Sequence, residues 1–259
     1  IGFIIGICLI TLAISMAIPM LTLLIFEQPE DLNAFLWSSL ITLIAGLALM
    51  IPGRPQNAQL RPRDMYLLTT GSWTVVCCFA ALPMMLIAHI SYTDAIFETM
   101  SGITTTGSTV LTGLDDMSPG ILIWRSMLHW LGGIGFIGMA VAILPLLRVG
   151  GMRLFQTESS DWGEKVMPRS HMAAKYLLVI YLALTLLGFL AFWAAGMSPF
   201  DAINHSMAAI STGGFSTSDV SLAHWPEPAG HWTAVVLMLL GGMPFMLYVA
   251  FIRGNRNAL

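Results

Sequence analysis

Charge is what this sequence has least of: 10% of its 259 residues are Asp, Glu, Lys or Arg, against 56% hydrophobic, and mean hydropathy is +0.79. A soluble domain needs about a quarter of its residues charged to cover itself in water. Lipid must therefore be the solvent here. The net charge of −3 gives no basic footprint for nucleic acid. Cysteine is also scarce: Cys8, Cys77 and Cys78 all lie inside apolar runs, in a spacing that fits neither a metal site nor a disulfide framework. They read as small apolar side chains. The histidines, His89, His129, His171, His205, His224 and His231, are scattered without HExxH or comparable ligand spacing, which argues against zinc. A signal peptide is not expected, because the opening apolar run is too long and no small-residue cleavage site follows. Both ends lie in or just past apolar runs, so the chain reads as a fragment of a longer protein.

Apolar runs are abundant. A spanning helix needs about 20 mostly apolar residues, and six segments qualify: roughly 1–26, 34–52, 66–88, 119–147, 172–195 and 231–252. A shorter, less apolar stretch lies between the third and fourth, and another between the fifth and sixth. Ten of the eleven basic residues fall in or beside the 53–65 loop, the 148–175 loop or the C-terminal tail; only Arg125 lies elsewhere. That asymmetry places those loops in the cytoplasm. The two short stretches then dip in from the opposite face.

The dips repeat each other. Residues 91–107, SYTDAIFETMSGITTTG, match 198–214, SPFDAINHSMAAISTGG, at eight of seventeen positions without a gap. Leu131-Gly132-Gly133 then recurs as Leu240-Gly241-Gly242, so the repeat covers a whole span–dip–span unit. Each dip opens on Ser-x-x-Asp, a helix N-terminus signature, and in the second copy Pro199 takes the first helical position. That context makes Asp94 and Asp201 helix-start residues rather than the pair of an aspartyl protease. A helix of about 12 residues, about 18 Å long, should follow and reach halfway through a hydrocarbon core of about 30 Å.

Beyond each half-helix, helix propensity collapses into Thr104-Thr105-Thr106-Gly107-Ser108-Thr109 and Ser211-Thr212-Gly213-Gly214-Phe215-Ser216. Non-helical backbone at mid-membrane is tolerated only where protein buries it or water lines it. Thr hydroxyls and inward carbonyls supply oxygen ligands, and Gly permits the positive φ that turns a carbonyl inward. Half-helix plus Thr/Gly segment is the design of a K⁺ filter, in which carbonyls replace the hydration shell. A lone Thr-Thr-Thr-Gly is an ordinary polar turn. Two copies in the same context are not.

FETMSGITTTGSTVLTGL (97–114), WRSMLHWLGGIGFIGMAV (124–141) and AAISTGGFST (208–217) resemble the Trk/Ktr/HKT potassium transporter superfamily, most closely its TrkH-type subunits. The resemblance implies an all-α polytopic membrane protein: an N-terminal helix pair, then two span–re-entrant pore loop–span units of K⁺-channel type. The expected divisions are 1–64 for the helix pair, 65–150 for the first pore unit, 151–171 for a cytoplasmic loop and 172–259 for the second pore unit. By the same resemblance Gly107 and Gly213 or Gly214 are filter glycines, with Thr105, Thr106, Ser211 and Thr212 adding oxygens. Family members close their filter with four such units, and two are present here. The resemblance further implies K⁺ as transported ion, no bound cofactor, a homodimer in a bacterial inner membrane, and a cytosolic nucleotide-binding regulatory subunit; no nucleophile–base or metal constellation supports an enzyme. The 148–170 loop is either that subunit's docking surface or a plain connector.

Arg125 sits about six residues into the fourth span, where a lone charge is expensive and needs a partner. Glu98 on the preceding half-helix is the nearest candidate. The pair either sets the field near the filter or clamps the span to the half-helix. Asp115 and Asp116 either concentrate cations or belong to a solvated loop. Gly132, Gly133, Gly135, Gly138, Gly241 and Gly242 give small packing faces, and Pro244 allows a bend. The alternatives to a K⁺ pore are a re-entrant-loop carrier for a small solute and a Na⁺-permeable or Na⁺-coupled member of the same superfamily. Two dips from one side and neutral Thr/Gly segments count against the carrier.

Overall fold

The computed structural model describes residues 1–51, 53, 62–147, 170–245, 247 and 248. Among them the long regular elements are all helices: α1 (Gly2–Ser15), α2 (Ala17–Ile25), α3 (Leu32–Met50), α4 (Pro62–Ile87), α5 (Tyr92–Ile103), α6 (Pro119–Leu147), α7 (Ser170–Ala194), α8 (Pro199–Ile210) and α9 (Pro228–Gly242). Four stretches of the described residues are long and apolar enough to cross a membrane: Gly2–Ile25, Pro29–Met50, Tyr66–Ile87 and Lys175–Ala194. Their outward faces carry Ile14, Leu21, Trp37, Ile44, Leu186 and Leu187, all exposed. The loops on which the orientation and the docking surface rest, 53–65 and 148–170, lie mostly outside the described residues.

The chain divides into two compact units, one of Ile1–His129 with Gly213–Pro226, the other of Trp130–Thr212 with Glu227–Leu259. In the first, α1 crosses α3 where Gly6 faces Gly46; a Cβ on Gly6 would stand 2.7 Å from the Gly46 carbonyl oxygen. Small residues let the two backbones approach that closely. Leu9, Met16, Leu23, Phe35, Ala80, Met84 and Trp124 form its core. The Trp124 indole donates to the Ala80 carbonyl at 3.1 Å, which ties α6 to α4 without leaving an orphaned N–H.

In the second unit, Leu177, Ile180, Tyr181, Ile210 and Phe245 pack with Trp130, Ile134 and Leu184. The Ser206 hydroxyl donates to the Thr185 carbonyl at 2.6 Å and fixes α8 against α7. Here the structure bears on the bend that Pro244 allows. The segment 231–252 is not one continuous helix: α9 stops at Gly242, and Met243 is extended, with φ −74° and ψ 145°. A residue that precedes proline is pushed out of the α region, and Pro244 is the next residue. The Tyr248 hydroxyl donates at 2.6 Å to the Leu240 carbonyl that the broken helix leaves free. Gly241 abuts the Ile210 backbone, where a Cβ would overlap the carbonyl.

Candidate functional site

The two half-helices are near copies in local geometry. α5 and α8 each have 12 residues. The Ser91 hydroxyl accepts from the Asp94 amide and the Ser198 hydroxyl from the Asp201 amide, both at 3.1 Å. Each Ser hydroxyl in turn donates to its Asp carboxylate, at 2.7 and 2.6 Å. The expected N-caps are present, so Asp94 and Asp201 are helix-start residues. At the far ends, the Thr105 and Thr212 amides donate to the Gly102 and Ala209 carbonyls, both at 3.0 Å.

Past the ends of α5 and α8 the backbones still match. Thr105 and Thr212 both have φ 55°, and Gly107 and Gly214 have φ 80° and 92°. A β-branched residue in the left-handed region is a true outlier and costs on the order of 1–3 kcal/mol. The matched left-handed conformation of Thr105 and Thr212 is a feature that the residue types alone did not reveal. By residue type either Gly213 or Gly214 could answer to Gly107; by conformation, Gly214 is its partner. Gly213 is needed for another reason: a Cβ there would fall on the His129 ring.

Within the first unit the segments after Gly107 and after Gly213 run side by side. A Cβ on Gly107 would overlap the Gly213 carbonyl oxygen. Two residues on, Arg125 bridges them: its Nη2 donates to the Thr109 hydroxyl and its Nη1 to the Ser216 carbonyl, both at 3.1 Å. Farther out, Asp219 accepts from the Gly113 amide at 2.9 Å. These three contacts join residues 106 or 107 positions apart, at or within one residue of the repeat offset of 107.

Arg125 and Glu98 meet, as expected, with Nε to Oε1 at 2.8 Å and exposures of 1% and 0%. Glu98 also accepts from the Thr109 hydroxyl at 2.8 Å and the Val110 amide at 3.0 Å. The guanidinium lies 4.1 Å from the centre of the Phe215 ring, and His129 stacks on the same ring at 4.0 Å. Neither nitrogen of the buried His129 has a hydrogen-bond partner among the described residues, although the Ser101 backbone lies beside it. Sequence reasoning gives His129 no role. Its one visible cue is a position four residues after Arg125, hence on the same helix face.

The Thr/Gly segments carry no carboxylate, and among the described residues no group of three or more His, Cys, Asp or Glu stands ready for a metal. The Glu98 carboxylate is engaged by Arg125, Thr109 and Val110, and the Thr/Gly segments themselves offer hydroxyl and carbonyl oxygens. Thr104 and Thr106 hydroxyls lie 2.8 Å apart. Outside the membrane segments, the Ser218 hydroxyl and then the Asp219 amide hold the Asp115 carboxyl below its ordinary pKa, with a smaller contribution from His224. Its contacts thus persist as pH falls through the usual carboxylate range and are lost only below the lowered value.

A family model described as TrkH, cation transport protein, matches residues 32–256. The Trk system potassium uptake protein TrkI of Halomonas elongata is 47% identical over 252 residues, covering 96% of this chain and 51% of that protein. The Trk system potassium uptake protein TrkH of Escherichia coli is 39% identical over 256 residues, covering 97% of this chain and 53% of its own length. The crystal structure of the potassium transporter TrkH from Vibrio parahaemolyticus superposes with a TM-score of 0.87 at 38% identity, covering 100% of this chain and 53% of that one. The chain therefore spans about half the length of the curated relatives it matches.

Proposed function

We propose, since this chain belongs to the TrkH family of cation transport proteins, that it forms part of a K⁺ uptake pore in a bacterial inner membrane. The family is one of transporters rather than enzymes. In this reading α5 and α8 are pore helices that dip from the extracytoplasmic face, and residues 104–109 and 211–216 are filter segments. Residues 1–64 are an outer helix pair, 65–150 and 172–259 the pore units, and 151–171 a cytoplasmic connection. The homodimer and the nucleotide-binding cytosolic subunit belong to the same proposal.

One observation carries it: two capped 12-residue helices, each leading into Thr with φ 55° and then a Gly of positive φ two residues later. A K⁺ ion sheds water only where several weakly charged oxygens replace it. Thr105, Thr106 and Gly107 supply hydroxyl and carbonyl oxygens from one segment, and Ser211, Thr212, Gly213 and Gly214 from the other. The C-terminal end of each pore helix carries a partial negative charge, which favours a cation beside it.

The test is substitution in the full-length protein. Gly107→Ser forces a side chain against the Gly213 carbonyl and out of a favoured φ. Gly214→Ser meets open space and disturbs φ alone, so its effect should be the smaller. K⁺-over-Na⁺ preference in Rb⁺ uptake should fall about tenfold for Gly107→Ser, which corresponds to about 1.4 kcal/mol. Wild-type preference in both variants at normal expression would sink the filter reading. Orientation has its own test. In a background without Cys8, Cys77 and Cys78, Asn57→Cys should label only from the cytoplasm and Asp116→Cys only from outside. Labelling of both from the same side would overturn the topology.

A further inference from the structure

The outer ends of the two Thr/Gly segments are tied together by one carboxylate. Asp219 lies five residues beyond Gly214 and accepts three hydrogen bonds from residues six and seven beyond Gly107. Its two oxygens stand 3.1 and 2.9 Å from the Gly113 amide, and Oδ2 stands 3.2 Å from the Leu114 amide. Gly113 is left-handed, with φ 74° and ψ 36°, so these successive N–H groups converge on one point. Such a backbone concavity is a natural seat for an anion. The tie is reciprocal: the Asp219 amide donates to Asp115 Oδ2 at 3.3 Å. The surrounding shell is completed by His224, whose Nδ1 lies 3.6 Å from Asp115 and 3.2 Å from the Ser218 hydroxyl.

We infer that Asp219 is a positioning residue that latches the second filter segment to the first and so holds the spacing on which ion preference depends. This rests on the filter reading above. A carbonyl ring discriminates between K⁺ and Na⁺ only while ligand number and separation hold. Gly107 against Gly213 and Arg125 between Thr109 and Ser216 fix the segments at depth. The Asp219 carboxylate joins them at the mouth through the exposed Gly113, beside the weaker return bond from its own amide to Asp115. Its competing role is that of a mouth charge that attracts cations, and the two roles differ in what they require. A latch needs acceptor oxygens. An attracting charge needs the charge, and its effect fades in salt, with a Debye length of about 10 Å at 0.1 M.

The experiment compares Asp219→Ala, Asp219→Asn and Gly107→Ser in the full-length protein, reading Rb⁺ uptake against Na⁺ at low and high choline chloride. Asp219→Ala should lose K⁺ preference about tenfold, as expected for lost hydrogen bonds to a charged acceptor, equally at both ionic strengths. Asp219→Asn keeps an acceptor oxygen and should stay within about twofold of wild type. An Asn variant as defective as the Ala variant, or a defect confined to low salt, would overturn the latch. So would wild-type preference in Asp219→Ala when Gly107→Ser has lost it. Should Gly107→Ser also keep wild-type preference, the filter reading itself has failed. If Asp219→Ala does not reach the membrane, Asp219→Asn decides alone: preference within about twofold supports the latch, and a larger loss removes it.

Discussion

Arg125→Gln should reduce folded protein in the membrane to a small fraction of wild type, Glu98→Gln should do likewise, and the double substitution should recover part of the loss. Both side chains are buried, at 1% and 0% exposure. Removal of one member of a buried ion pair costs about 3–5 kcal/mol, because the other charge stays behind uncompensated. After Arg125→Gln, the Glu98 carboxylate retains only the Thr109 hydroxyl and the Val110 amide. After Glu98→Gln, the guanidinium keeps the Ser216 carbonyl, the Thr109 oxygen and the Phe215 ring, none of which bears a charge. The double variant strands no charge, so it should outperform at least one single variant. Detergent extracts resolved by size-exclusion chromatography with a fluorescent tag give the amount of folded protein directly. Strictly additive losses would show that the pair is not coupled. Arg125→Lys should rescue poorly, since an ammonium does not present the planar fork that reaches Glu98, Thr109 and Ser216 together.

That network shows how far the sequence could be read. The pairing of Glu98 with Arg125 was legible, because an intramembrane Arg demands a partner and Glu98, on the preceding half-helix, was the nearest candidate. So were the two short Ser-capped helices, since Ser-x-x-Asp and the collapse of helix propensity are local signals. Contacts from Arg125 to Ser216 and Phe215 were not, because nothing local in α6 says which of two homologous segments will lie beside it. The left-handed conformation of Thr105 and Thr212 runs against the preference of a β-branched residue, so tertiary structure alone imposes it. Asp219 looked like any surface acid until Gly113 turned two amides toward it. The break after Gly242 was written in the sequence as Gly-Gly-Met-Pro, but a hydropathy window smooths over it. Apolar content predicts that a segment prefers lipid, and backbone chemistry at Pro244 decides that it is not one helix.

Gly213→Ala should abolish K⁺-limited growth, and His129→Ala should restore part of it in the double variant. A Cβ on Gly213 would overlap Nδ1 of His129 and stand 2.6 Å from its Cε1 and Cγ. No real Cβ sits so close, so either the segment or the ring must move. The ring is poorly placed to yield: His129 is 0% exposed and stacks at 4.0 Å on Phe215, itself held against the Arg125 guanidinium. The segment is no freer, because the Gly213 carbonyl already lies against the Gly107 backbone. Overpacking costs about 1–3 kcal/mol where a core can adjust, and here the adjustment displaces a proposed ligand. His129→Ala opens room for the new methyl. By geometry neither ring nitrogen has a hydrogen-bond partner among the described residues, with only the Ser101 backbone beside the ring. On its own His129→Ala leaves a cavity behind the proposed filter segment and should lower uptake moderately, so the two substitutions together should perform better than Gly213→Ala alone. Gly214→Ala, whose Cβ meets nothing within 4 Å, should gain nothing from His129→Ala. Rb⁺ uptake at matched expression separates these outcomes: normal transport by Gly213→Ala, or a double variant no better than it, would mean that the imidazole does not set the position of this segment.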